Sequence, residues 1–146
     1  MTAMPSATPS RHLAVVTCMD ARIDVFQALG LGLGEAHILR NAGGRVTEDV
    51  LRSLALSTHM FGVDTVLVMQ HTGCGLAGVT DEELRQRTGA DLGFYPIADH
   101  AEALRRDVEV IAQTAFLAPV RVVEGLVYDL VTGRADEVVR WERPQP

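Results

Sequence analysis

The stretch TVLVMQ, residues 65–70, is the most hydrophobic of the strand-like runs in this chain. Its four central residues are all apolar, which is typical of a strand covered on both faces rather than one with a wet face. Two further apolar runs occupy residues 12–18 and 36–42, and helix-like segments separate the runs. This alternation predicts an α/β domain with a central, mostly parallel β-sheet flanked by helices.

Two longer helices are predicted from capping residues and apolar spacing. Thr47 can cap a helix with an acidic first turn, and Gly62 can end it. Residues 99–116 carry apolar side chains at helical spacing, and Pro119 is expected to stop that helix. The side chains expected to be buried in the two helices are Val50, Leu51, Leu54, Phe61, Ala103, Leu104, Val108, Ile111 and Phe116.

The two ends of the chain complete the predicted organisation. Residues 120–130 predict a fourth strand, residues 131–134 a tight turn and residues 135–141 a partner strand, so we expect a C-terminal β-hairpin. Residues 1–11 are interpreted as a flexible N-terminal arm, and residues 12–146 as a single α/β domain.

Composition narrows the classes of function. The 146 residues carry a formal net charge of −6 and the arginines form no clustered stripe, which argues against nucleic acid as a partner. No apolar run approaches the roughly eighteen residues that a membrane span requires. Residues 1–10 lack the basic start and apolar core of a secretory signal. We therefore expect a cytoplasmic protein that binds neither nucleic acid nor membrane.

Both cysteines and one histidine fall at strand ends. Cys18 ends the first apolar run, and His71 and Cys74 follow the third. Ligands of open α/β sheets bind at the carboxyl ends of the strands, so these side chains meet there if the two strands are neighbours. Two thiolates and one imidazole suit Zn²⁺ and leave a fourth position open, as in catalytic zinc sites. The alternative is that both cysteines are inert core residues.

A charged pair follows the first cysteine. Asp20 and Arg22 are separated by one residue, so in an extended segment their side chains point the same way and can pair. A carboxylate paired with an arginine stays ionised and acts only as a hydrogen-bond acceptor. It can therefore accept a proton from a metal-activated water and orient its oxygen. The alternative is a surface ion pair of little energetic consequence.

Three motifs in fixed order carry a family resemblance. CMDAR at residues 18–22, RNAGG at residues 40–44 and HTGCG at residues 71–75 resemble the β-class carbonic anhydrases. The match is closest to a short subgroup with CMD, which also includes hydrolases of carbonyl sulfide and carbon disulfide. Pro9 stands where many members have a substrate-binding glutamine, so that contact is not expected here.

The resemblance implies a β-carbonic-anhydrase-like fold and reversible hydration of CO₂ to bicarbonate and a proton. By resemblance, Cys18, His71 and Cys74 bind one Zn²⁺ per chain, while Asp20 and Arg22 form the catalytic pair that orients the reacting water. Asp20 is a fourth metal ligand in the closed state known for the family. The resemblance also implies a homodimer or a higher homo-oligomer.

Four residues of the same motifs are candidate substrate-binding residues: Asn41, Gly43, Gly44 and Gly75. The paired glycines precede the helix expected at Thr47, so their backbone N–H groups could face an anionic product. The alternative is a tight connection from strand to helix. Two further functions stay open, namely hydrolysis of COS or CS₂ at the same site, and zinc binding or regulation without turnover.

Overall fold

The computed structural model describes residues 3–146, and within them the chain forms one five-stranded sheet in the order β2-β1-β3-β4-β5. The strands are β1 Leu13–Cys18, β2 Ala36–Asn41, β3 Thr65–His71, β4 Val122–Tyr128 and β5 Ala135–Glu142. The first four strands pair in parallel, and β5 runs antiparallel to β4. The predicted mostly parallel sheet and its C-terminal hairpin are therefore confirmed.

Helices cover both faces of this sheet. They are α1 Val25–Leu29, α2 Glu48–Phe61, α3 Asp81–Thr88 and α4 His100–Gln113, with single 3₁₀ turns at Ala42–Gly44 and Ala115–Leu117. On one face α2 and α4 pack against the sheet around Leu54, Leu104 and Ile111, each of which is fully buried. The other face is covered by α1 and by the segment that follows β3. Since both faces are covered, every residue of β1 is buried.

The predicted caps of α2 are confirmed. The Thr47 hydroxyl accepts a hydrogen bond from the Val50 N–H, and Gly62 ends the helix in the left-handed conformation with φ of 67°. Glu48 and Asp49 occupy the first turn, where carboxylates are stabilised by the positive end of the helix dipole. The capping residues therefore fix the start of α2 at Glu48, a few residues after the RNAGG segment.

The prediction for the end of α4 was wrong. The helix ends at Gln113, well before Pro119, because Thr114 adopts an extended conformation with φ of −74° and ψ of 113°. The Thr114 N–H and hydroxyl both donate to the carbonyl of Val110, which closes the last turn. This break changes the helical phase. Leu117 is therefore fully buried, whereas Phe116, predicted to be buried, is 52% exposed.

An N-terminal arm is predicted at residues 1–11, and its first two residues lie outside the described part of the chain. Farther along, the N–H groups of Ser10 and Arg11 donate to the carbonyls of Gly34 and Glu35, each at 3.0 Å. The end of the arm is thus hydrogen-bonded to the segment that leads into β2. Among residues 3–146, no helix combines the length and the apolar character that crossing a membrane would need.

Gly44 is held against the backbones of two strands. A Cβ at this position would lie 2.8 Å from the carbonyl carbon of Thr17, 2.9 Å from the nitrogen of Cys18 and 3.0 Å from the oxygen of Met69. Its φ of 64° is also one that side chains rarely adopt. The close approach lets the 3₁₀ turn after β2 pack onto the ends of β1 and β3, beside the site.

Replacing Gly44 by Ala is expected to lower the free energy of unfolding by about 3 to 5 kcal/mol, since overpacking and a strained φ add together. Gly34→Ala is a matched control, because Gly34 also has a positive φ of 83° but nothing lies within 4 Å of its added Cβ. We expect a cost of about 1 to 2 kcal/mol there. Urea denaturation measures both, and equal losses would contradict the packing argument.

Candidate active site

Two adjacent strands bring together three side chains that could hold a metal ion. Cys18 is the last residue of β1, His71 is the last residue of β3, and Cys74 lies in the turn that follows β3. The strands pair in parallel, with Thr17 opposite Met69, so their carboxyl ends lie at the same edge of the sheet. The potential ligand atoms of the three residues all lie within 4.8 Å of one another. All three residues are buried, and neither cysteine forms a disulfide.

His71 presents a lone pair to this cluster. Its Nδ1 lies 2.7 Å from the carbonyl oxygen of Thr72. A carbonyl oxygen only accepts, so Nδ1 carries the proton and Nε2 of the neutral ring does not. Nε2 is fully buried and has no hydrogen-bond partner among residues 3–146. A buried nitrogen without a partner is costly, and a metal ion beside two sulfur atoms would satisfy it.

Thr72 is itself fixed by the β4–β5 connection. Its N–H donates to the carbonyl of Tyr128, and its hydroxyl accepts from the Leu130 N–H, both at 3.0 Å. Sequence reasoning gave Thr72 no role. The sequence shows only that Thr72 follows His71. The hydrogen bond that orients the His71 ring goes to a main-chain carbonyl, so residue type does not reveal it.

The environment of Cys74 favours the neutral thiol when no cation is present. Burial raises the pKa of the Cys74 thiol, and the nearby Cys18 raises it further. The Leu76 N–H points at Cys74 Sγ from 3.5 Å and partly offsets this effect. Metal binding would therefore release protons, because cysteine binds metals as the thiolate. Two sulfur donors and one imidazole are a set that Zn²⁺ accepts, so the residues present fit zinc.

Asp20 and Arg22 form a two-point ion pair beside the three donors. Arg22 donates from Nε to Asp20 Oδ1 at 2.9 Å and from Nη2 to Asp20 Oδ2 at 2.6 Å. The same Nη2 donates to the carbonyl of Gly73 at 3.0 Å, which links the loop after β1 to the turn after β3. Asp20 Oδ2 lies 3.7 Å from His71 Nε2, so the carboxylate faces the donor cluster.

The expectation that this pair sits on an extended segment was wrong. The Ile23 N–H donates to the carbonyl of Asp20 at 3.2 Å, which closes a turn. The Arg22 N–H also donates to Asp20 Oδ1 at 2.8 Å, an interaction that an extended chain does not allow. The turn, rather than strand alternation, brings the two side chains to the same side.

Arg22 determines the charge of Asp20. Its side-chain hydrogen bonds, followed by its backbone N–H, hold the pKa of the Asp20 carboxyl well below the ordinary range. The carboxylate also raises the pKa of Arg22. Asp20 is therefore ionised at every pH at which the protein would work, and it can only accept hydrogen bonds.

A cavity of about 310 Å³ opens onto the cluster. Besides Cys18, Asp20 and Cys74, its wall contains Met19, Ala42, Gly43, Gly75 and Leu76. This lining is mostly apolar, and Met19 at the surface is 65% exposed. The space suits a small, uncharged molecule that approaches the three donors.

The four candidate substrate-binding residues divide into two groups. Gly43 and Gly75 lie on the wall of the cavity. Asn41 and Gly44 lie behind it: the Asn41 amide donates to the Arg45 carbonyl at 2.8 Å and accepts from the Arg45 N–H at 2.9 Å, and Gly44 packs onto strand backbone. The geometry at Asn41 and Gly44 thus matches the tight-connection alternative.

Arg40, the first residue of the RNAGG motif, contacts the loop after β1. Sequence reasoning assigned it no role. It stands opposite Thr17, one residue before the end of β1, in the parallel pairing of β2 with β1. Its guanidinium donates to three main-chain carbonyls of that loop. The contacts of Arg40 could have been predicted only from the register of β2 against β1.

The fold and the site together define a class: an α/β protein with a buried cysteine–histidine–cysteine cluster at the carboxyl edge of a parallel sheet. A family model described as carbonic anhydrase matches residues 13–124. Beta-carbonic anhydrase 1 of Mycobacterium tuberculosis is 38% identical over 136 residues, which cover 89% of this chain and 83% of that protein. The chain belongs to the β-carbonic anhydrase family.

Two further comparisons agree with this membership. The crystal structure of a carbonic anhydrase from Streptococcus mutans has a TM-score of 0.86 and 40% identity, over 95% of this chain and 88% of that one. A carbon disulfide hydrolase of Acidianus sp. is 48% identical over 75 residues, which cover 51% of this chain and 37% of that protein. The family resemblance predicted from the three motifs is confirmed.

Replacing Arg22 by Gln is expected to raise the pKa of the Asp20 carboxyl toward its ordinary value of 3.8, because the strongest donors to the carboxylate are lost. Since the folded pKa is lowered, the pair stabilises the fold above about pH 4, and this contribution is lost as the pH falls further. NMR titration of carbon-13-labelled aspartates measures the shift.

Arg52→Gln is the control for this titration, because Arg52 pairs with the exposed Asp49 on α2 and should leave Asp20 unchanged. An Asp20 pKa that is the same in the wild type and in Arg22→Gln would show that the ion pair does not set the charge of the carboxylate.

Proposed function

We propose that this protein catalyses the reversible hydration of CO₂ to bicarbonate and a proton, with one zinc ion per chain held by Cys18, His71 and Cys74. The observation that carries this proposal is the meeting of these three donors within 4.8 Å, beside the ion pair of Asp20 and Arg22. The long match to a relative named as a β-carbonic anhydrase supports it.

The donor set supports zinc in a catalytic rather than a structural role. Three protein ligands leave one of four tetrahedral positions open, whereas structural zinc sites take four. When bound, zinc supplies a hydroxide nucleophile near neutral pH, because it is a Lewis acid. The three residues hold the cation with two thiolates and one neutral imidazole, whose orientation Thr72 fixes.

Asp20 is proposed to orient the reacting water. Its ionised carboxylate accepts a hydrogen bond from that water, so that a lone pair on the oxygen points at the substrate carbon. Arg22 keeps the carboxylate ionised and holds it in place from two nitrogen atoms. Its third contact, to the Gly73 carbonyl, fixes the position of the carboxylate relative to the turn that carries Cys74.

The cavity is proposed to admit substrate by its size and polarity. CO₂ is small and uncharged, and a mostly apolar wall including Ala42 and Leu76 lets it approach without displacing strongly bound water. Gly43 and Gly75 bring main chain close to the reacting centre, where bicarbonate would form. Asn41 and Gly44 are proposed to support this wall from behind.

A second candidate function is hydrolysis of COS or CS₂ by the same site. The observation that favours it is the 48% identity over 75 residues to the Acidianus carbon disulfide hydrolase. The match to the mycobacterial relative extends over far more of the chain and favours CO₂. A non-catalytic zinc protein, with Asp20 turned onto the metal, is disfavoured because Asp20 is paired with Arg22.

We also propose a homo-oligomer and a cytoplasmic location. Within residues 3–146, β2 is an edge strand of the sheet, and Leu56 and Met60 on α2 are 52% and 67% exposed. Such apolar surface is typical of an interface between subunits. Reduced thiols, which the metal site requires, are maintained in the cytoplasm. A solution mass equal to one chain of 15.8 kDa would contradict the assembly.

Stopped-flow measurement of CO₂ hydration at pH 7 and 8.5, beside an assay of sulfide release from COS and CS₂, tests the reaction. Rapid hydration with little sulfide is the expected result. Sulfide release with slow hydration would replace the proposal by the hydrolase. Inactivity toward all three substrates, in protein that holds one zinc per chain, would leave the non-catalytic alternative.

Replacing Asp20 by Asn is expected to lower the hydration rate about a hundredfold, because the amide has a single acceptor oxygen and cannot keep both the two-point contact with Arg22 and the orientation of the water. The zinc content should stay at one per chain, since the three metal-binding residues are unchanged. Asp49→Asn, at an exposed carboxylate on α2 that pairs with Arg52 at the surface, is the matched control. Full activity of Asp20→Asn would contradict the proposed role.

A further inference from the structure

Arg40 uses its guanidinium to bind main chain rather than a carboxylate. Nε donates to the carbonyl of Cys18 at 2.9 Å, Nη2 to the carbonyl of Asp20 at 2.7 Å and Nη1 to the carbonyl of Ile23 at 3.1 Å. Among the ion pairs of residues 3–146, none involves Arg40. The three contacts are therefore the main interactions of this side chain.

The three carbonyls lie at the last residue of β1 and in the loop that joins β1 to α1, and this segment carries much of the site. Cys18 is a proposed metal ligand, and Asp20 is the proposed orienting carboxylate. The carbonyl of Asp20 accepts from both Arg40 Nη2 and the Ile23 N–H, so both of its lone pairs are used. The guanidinium is planar and its donors have a fixed geometry, so it sets the path of the loop.

Asp20 is consequently held from two directions. Arg22 holds its carboxylate, and Arg40 holds its main-chain carbonyl. Arg40 is not part of the cavity wall and so has no route to substrate except through the loop. Rotation of the Asp20 main chain would move both the carboxylate and the neighbouring Cys18 relative to His71.

We propose that Arg40 is a positioning residue, which fixes the main chain of Cys18 and Asp20 so that the thiol and the carboxylate meet His71. Its effect on turnover rests on the proposed function, whereas its effect on the loop does not. Small displacements of reacting groups can cost about a hundredfold in rate. A merely structural arginine on an edge strand would change stability and leave turnover per folded molecule unaltered.

The test uses Arg40→Ala in the zinc-loaded protein, with Arg140→Gln as the control. Arg140 also lies on an edge strand, β5, and it pairs with Glu124 and Glu142 away from the site. We expect kcat of Arg40→Ala to fall at least about tenfold, with a change in KM below about twofold, because orientation rather than binding is lost. The zinc content should stay at one per chain, and Arg140→Gln should keep wild-type kcat.

Chemical rescue separates positioning from stability. Millimolar guanidinium chloride should restore part of the lost kcat of Arg40→Ala, whereas sodium chloride at equal ionic strength should not. Arg40→Lys should recover little activity, since one ammonium cannot reach three carbonyls with the geometry of the fork. Wild-type kcat in Arg40→Ala, or a loss that guanidinium does not restore, would overturn the inference for turnover.

Amide hydrogen exchange provides a readout independent of activity. The N–H of Ile23 donates to Asp20 and the N–H of Met19 donates to Asn41, so both report on the loop. We expect faster exchange at these two amides in Arg40→Ala, while amides in the middle of β3 keep wild-type rates. Unchanged exchange in the loop would overturn the inference. An inactive wild type with faster loop exchange in the variant would refute the proposed function and leave the positioning role standing.

Discussion

The parallel pairing of β1 with β3 is the constraint on which the rest of the site depends. It brings the carboxyl ends of two buried strands to one edge of the sheet, so Cys18 and His71 lie close together there. Both faces of these strands are packed against other elements, so a shift in register would displace side chains from their packed positions, which a close-packed core resists. The hydrophobic core therefore sets the distance between Cys18 and His71.

Hydrogen bonds to main-chain carbonyls fix the turns and side chains at the strand ends that the sheet brings together. His71 donates to the carbonyl of Thr72, Arg22 to that of Gly73, and Arg40 to three carbonyls of the loop after β1. Each bond fixes a turn at a strand end, where the sheet no longer dictates the path of the chain. The close approach of Gly44 to the ends of β1 and β3 closes the same edge from the other side. These contacts together fix the main chain around the cluster of Cys18, His71 and Cys74.

Sequence patterns predicted much of this architecture, because they report local physics directly. The apolar runs gave the strands of the sheet, and Thr47 and Gly62 gave the ends of α2. The end of α4 was missed, because the helix breaks at Thr114, whose N–H and hydroxyl both donate to the Val110 carbonyl, and not at a strong stop signal such as Pro119. The turn at Asp20 was missed for a similar reason, since its side chain hydrogen-bonds its own backbone neighbourhood.

The sequence motifs predicted which residues form the candidate site, but they did not predict the contacts that support those residues. Cys18, His71 and Cys74 stand out by type and position, but the role of Arg40 follows from its register with Thr17. X-ray absorption at the zinc edge of the purified protein tests the central claim most directly. The expected result is one zinc per chain coordinated by two sulfur atoms, one imidazole and one light atom. A spectrum without sulfur, or with four protein ligands, would contradict it.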